Sequence, residues 1–157
     1  MKQYLLYFLI AIFSVFIGSQ ITEGVLLVPY WQSLSAAEFY SYYNEFGPTI
    51  GRFYTVLTII AAIIPVVLAI YARLTHSKGF GYALISSIFA ILFVASFYIY
   101  FKDVNESFYQ SALTDDEIKI ELITWENWHW GRVVAECFSL TFLTFLILSL
   151  VKIEKSK

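Results

Sequence analysis

Only one cysteine, Cys137, occurs in the 157-residue chain. A lone thiol forms no intrachain disulfide and assembles no cysteine-based zinc or iron–sulfur site, so the redox compartment stays open. Charge is scarce as well: charged residues make up 14% of the sequence, against roughly 25% in soluble domains. Lys and Arg form no basic stripe and the net charge is −2, which excludes nucleic acid as a partner, because phosphate binding depends on clustered cations. A glycine-rich phosphate loop, a paired-cysteine metal motif and a Gly-x-Ser-x-Gly elbow are all missing, so hydrolase and nucleotide chemistry have no motif behind them. Asn105-Glu106-Ser107 matches a glycosylation sequon, a match that is short and frequent by chance.

What the sequence does hold is apolar bulk. Hydrophobic residues reach 59%, aromatics 20% and mean hydropathy +0.70, the composition of an all-α integral membrane protein with room for one domain, 1–157. Four spans are expected, at about 4–29, 53–71, 82–100 and 131–151. A secretory leader fits the opening less well, because a cut after Gly18 puts bulky Phe16 where a small residue is wanted. Ser35-Ala36-Ala37-Glu38 reads as a capping box for a short aromatic interfacial helix, Ala36 to Phe46, that Gly47-Pro48 ends. Pro65 is expected to kink the second span. Arg73, His76 and Lys78 make a basic turn closed by Gly79 and Gly81. The small residues of the third span, among them Ala83, Ser86, Ser87 and Ala90, suit close helix contact in lipid. Thr114-Asp115-Asp116-Glu117 supplies a second capping box after a polar loop.

Loop charge orients the bundle. Lys2, Arg73, Lys78, Lys152, Lys155 and Lys157 flank one side, and acids such as Glu38, Asp103, Asp115 and Glu126 flank the other. The positive-inside rule then puts both termini in the cytoplasm, of a bacterial inner membrane by the character of the sequence, with short interfacial helices on the outer side.

Antiparallel spans bring Gln20, Glu23, Arg52, Tyr98, Tyr100, His129, Arg132 and Glu136 to one depth at the outer end, where the stretch Trp125-Glu126-Asn127-Trp128-His129-Trp130-Gly131-Arg132 opens the fourth span. His129, Arg132 and Glu136 share a helix face by their i,i+3 and i,i+4 spacing. Glu23 and Glu136 carry most weight, since an ionised carboxylate inside an apolar run costs about 2.5–3.5 kcal/mol unless paired or hydrated. Two readings stay open. In one, Glu23 pairs with Arg52 or Arg132 and Glu136 with Arg132, as clamps holding helices together. In the other, Glu23, His129, Arg132 and Glu136 are catalytic, with Trp125, Trp128, Trp130, Arg52 and Gln20 binding a ligand. No metal or other cofactor is expected: one histidine is thin support for a metal site, and His76 lies on the opposite side for haem ligation.

The proline-ended first span, the Gly47-Pro48 break and the Trp125-Glu126-x-Trp128-His129-Trp130-x-Arg132 start of the fourth span resemble the four-span family of unknown function that includes fungal anthrone oxygenases. The likeness covers most of the chain in layout and is specific around the last motif. It implies a compact bundle in which some members oxygenate a polycyclic aromatic without an evident metal or flavin. By position, His129 would accept the proton, Arg132 would stabilise the resulting anion, and Trp125, Trp128 and Trp130 would be aromatic walls. The expected function is an outer-side pocket for a hydrophobic aromatic or quinone-like small molecule, with cofactor-independent oxygenase activity in view. The alternative is a non-enzymatic accessory subunit with a structural polar cluster. Membrane lipid is a partner in either case, and a second copy of the chain is a further candidate.

Overall fold

Long apolar runs with few breakers propagate as helix, because lipid offers no other partner for backbone N–H and C=O groups. The computed structural model describes residues 3–155, and among them there is no strand. Four helical rods are long and apolar enough to cross a membrane: Tyr4–Ser33, Ala36–Leu74, Phe80–Tyr109 and Asp115–Val151. They form a four-helix membrane bundle. Helix α1 (Gln3–Thr22) passes through a π-helical turn, Glu23–Leu27, into α2 (Val28–Ser33). The second rod is α3 (Ala36–Leu74). The third is α4 (Phe80–Ser96), a second π-turn at Phe97–Phe101, and α5 (Lys102–Tyr109). The fourth is α6 (Asp115–Lys155).

The rods have 30, 39, 30 and 37 residues, whereas about 20 residues cross a hydrocarbon core. Each therefore continues as helix past the apolar span, and two expectations change. The break at Gly47-Pro48 does not occur, and the segment Ala36 to Phe46 is the start of α3. Pro48 removes one backbone bond, while the helix around it is held by packing: a Cβ on Gly47 would lie 3.1 Å from the Tyr109 ring, and the Tyr43 ring packs at a tilt against Tyr109, centroids 4.8 Å apart. The stretch after the third span is likewise mostly helix rather than loop, through α5.

Caps set the starts. Ser35 and Glu38 form the reciprocal capping box, and Glu117 accepts from both the backbone N–H and the hydroxyl of Thr114. The connection ahead of α6 is pinned by Tyr40, whose hydroxyl donates to Leu113 O and accepts from Leu113 N. At the proximal end, where α1 starts and α6 ends, His76 adopts φ 50° in the turn, and Gly79 lies against Ser149, leaving no space for a Cβ. Lys2 and Lys157 of the charge argument lie outside the described residues, as do the side chains of Lys152 and Lys155.

Packing divides the bundle along its length. The proximal core gathers Leu6, Phe13, Phe16, Leu68, Leu143 and Leu146. The distal core gathers Val28, Trp31, Phe39, Phe101, Phe108 and Trp125. In the proximal part α4 and α6 join through reciprocal bonds: Ser86 Oγ donates to Ser139 O at 2.8 Å and Ser139 Oγ to Ser86 O at 2.9 Å. Gln20, Glu23, His129 and Glu136, all buried, fall between the two cores.

Candidate functional site

Both π-turns flank this polar layer. An extra residue in a helical turn marks a local departure that recurs at functional sites. In the first rod the turn contains Glu23 and Gly24 and is followed by Pro29, which has no N–H to give the helix. A Cβ on Gly24 would stand 2.8 Å from Trp130 Cζ2 and 3.0 Å from His129 Cδ2. The rings of the fourth rod thus lie directly on the backbone of the first.

His129 is held at both nitrogens. Arg132 Nη2 lies 3.1 Å from Nδ1, and because a guanidinium only donates, Nδ1 accepts. The ring proton is then on Nε2, which donates to Gln20 O at 2.9 Å. Trp125 stacks on the imidazole at 5.1 Å and donates through its own Nε1 to Asn105 Oδ1 at 3.2 Å. Glu23 Oε2 is 3.7 Å from His129 Nδ1, the one acid–base side-chain contact among the described residues. Arg132 covers the Phe101 ring, with Cζ 3.8 Å from its centroid, an arrangement worth about 2 kcal/mol when desolvated.

Several polar atoms here are buried without a hydrogen-bond partner: Gln20 Oε1, Trp31 Nε1, Arg132 Nε and both carboxylate oxygens of Glu136. The pairing of Glu136 with Arg132 expected of a clamp is therefore not made. Each buried polar atom left alone costs about 1–3 kcal/mol. Three of these residues, Gln20, Trp31 and Arg132, line one cavity of about 650 Å³ together with Glu23, Tyr54 and Trp125.

The structure brings together Gln20, Glu23, Trp125, His129, Trp130 and Arg132, with Glu136 one turn below. It does not bring Arg52, which is exposed and donates to Thr49 Oγ1. Trp128 faces away, stacked on Tyr100 at 5.0 Å. His129 is in the cluster but is not part of the cavity wall. Sequence reasoning missed Trp31 and Tyr54, which are cavity-lining, and Gly24, whose signal was its place in an apolar run beside Glu23. Tyr54 donates to Ser19 O at 3.1 Å, tying the second rod to the first at this depth. Comparison with protein-family models, curated proteins and solved structures gives no match.

Proposed function

We propose that the cavity is a binding site for a hydrophobic small molecule with an oxygen-bearing head, of aromatic or quinone-like type, held at the distal side of the membrane. The distal side is taken as the outer one from the loop charges, with the termini in the cytoplasm. The observation that carries the reading is a cavity of about 650 Å³ whose wall brings Gln20, Glu23, Trp31 and Arg132 together among aromatic rings, with Gln20 Oε1, Trp31 Nε1 and Arg132 Nε left without a hydrogen-bond partner in the protein. The donor side chains of Trp31 and Arg132 suit carbonyl or phenolate oxygens, the Gln20 amide suits a hydroxyl, and the aromatic lining suits a flat ring. Pockets of this size with a few convergent polar groups are where ligands bind.

Oxygenation of such a ligand, as the resemblance around Trp125 to Arg132 implies, begins with loss of an acidic proton. Glu23, on the cavity wall, is the group we assign as acceptor in place of His129, whose ring nitrogens are both engaged. Arg132 then stabilises the anion, and His129 holds Arg132 in place. The test is to extract lipophilic compounds from the purified protein, identify them by mass spectrometry, and titrate the recovered compound into wild type, Gln20→Ala and Arg132→Ala. Binding weakened at least about tenfold in both variants supports the site. Equal binding in all three, or no bound compound and no binder among quinones and phenols, overturns it and leaves the polar cluster a structural one.

A further inference from the structure

The cavity is elongated. Its wall follows α3 from Tyr43 to Ile63, about 30 Å of helix at 1.5 Å per residue. Polarity changes along that length. The distal and middle parts carry Glu106, Asn105, Glu23 and Arg132, whereas the proximal part is made by Ile59, Ala62, Ile63 and Val94. Ile59 and Ile63 are each 53% exposed and belong to the apolar run of the second rod. Phe97 and Tyr98 on the facing third rod are exposed too, at 40% and 68%. In a bilayer this exposure is to acyl chains. The apolar end of the cavity is therefore a cleft between the second and third rods, open sideways to lipid. A compact fused-ring molecule would cover only the polar middle and leave this cleft empty.

We propose that the cavity takes a single-tailed amphiphile from the bilayer, with its oxygen-bearing head at Arg132, Trp31 and Gln20 and its tail leaving through the cleft between Ile59, Ile63 and Val94, Phe97. This rests on the cavity being a ligand site and adds the shape of the ligand and its route. Two chemistries meet the description, a prenyl-type quinone or quinol and a fatty acid, which share acceptor oxygens on one flexible chain. Lipid is as apolar as the cleft, so the tail gains little by transfer. What it gives is guidance: the molecule need never cross water.

The full chain in phosphatidylcholine nanodiscs allows the test, because Trp31 and Trp125 on the cavity wall report quenching. The probes are a decyl-tailed benzoquinone, the same quinone head without its tail, and a dibrominated stearate. Ile59→Trp and Ala62→Phe fill the cleft from two positions, one exposed and one half-buried, and each variant is first matched to wild type in helix content and unfolding midpoint. Both are expected to weaken the tailed quinone about tenfold and the tail-less head by less than about twofold. The same pattern with the stearate in place of the quinone upholds the tailed ligand and makes its head a carboxylate. Undiminished binding of every tailed probe in a folded variant, or equal loss of the tail-less head, overturns the lateral route while the ligand site stands. If no probe quenches wild type, both readings fall together.

Discussion

Replacing Gly24 by alanine tests the tightest point of the polar layer. The added methyl would meet Trp130 Cζ2 at 2.8 Å and His129 Cδ2 and Nε2 at 3.0 and 3.1 Å. Neither ring is a flexible side-chain end. The imidazole is fixed by Arg132, by Gln20 O and by the Trp125 stack, so yielding means stretching the 2.9 Å bond to Gln20 O. Three effects compete. Alanine gains about 1 kcal/mol over glycine inside a helix. Overpacking costs roughly 1–3 kcal/mol, and a buried imidazole N–H without its acceptor costs roughly 1–3 kcal/mol more. The sum is a loss of about 3 kcal/mol. Gly18, in the same rod, is the control, since a methyl there meets nothing within 4 Å; Gly18→Ala should leave stability unchanged or raise it by up to about 1 kcal/mol. Equilibrium unfolding in mixed micelles, followed by tryptophan emission, compares the two. Equal stability of Gly24→Ala and Gly18→Ala would refute the close approach of the first and fourth rods.

Nitrogen-15 NMR of the imidazole should show His129 protonated at Nε2 alone, and Arg132→Leu should remove the hydrogen-bond shift at Nδ1; a spectrum unchanged by that variant contradicts the Arg132 contact. Ser86→Ala and Ser139→Ala each delete one of two reciprocal bonds between α4 and α6, and each should cost about 0.6 kcal/mol in the same unfolding assay, near the average for such bonds in lipid. Arg132→Lys keeps the charge but loses the planar donor fork, so ligand affinity should fall about tenfold, measured by quenching; full retention would reduce the arginine to a point charge. Ser35→Ala removes the cap of α3 and should cost about 1 kcal/mol, seen as faster amide exchange over residues 36–39.

The level of each polar residue along the bundle was readable from hydropathy, because the apolar runs fix how far along its rod each one falls. The convergence of Gln20, Glu23, His129 and Arg132 follows from that level alone. Rotation about each rod axis was not readable. Arg52 stands near the expected level but faces out, while Tyr54, two residues and about 200° further round the helix, faces in. Trp125 and Trp128 divide in the same way between the buried and exposed faces of α6. The distal extensions were hidden for another reason: Gly47-Pro48 is a stop signal locally, and only the distant Tyr109 ring shows what that glycine accommodates.

A π-turn holds one residue more than the regular helix needs, and the count is visible in what each rod buries. In the first rod Leu6, Phe13, Gln20 and Val28 are buried, spaced seven, seven and then eight residues apart. In the third, Ser86, Phe93, Phe101 and Phe108 follow at seven, eight and seven. Both eights fall across a π-turn. The two rods slip phase at the polar layer, by about 100° each at 3.6 residues per turn. Deleting a single residue there would leave the proximal stripe facing its neighbours and swing Trp31 or Phe108 away from theirs. Each of these two rods behaves as two cylinders coupled end to end, and the site lies at the coupling.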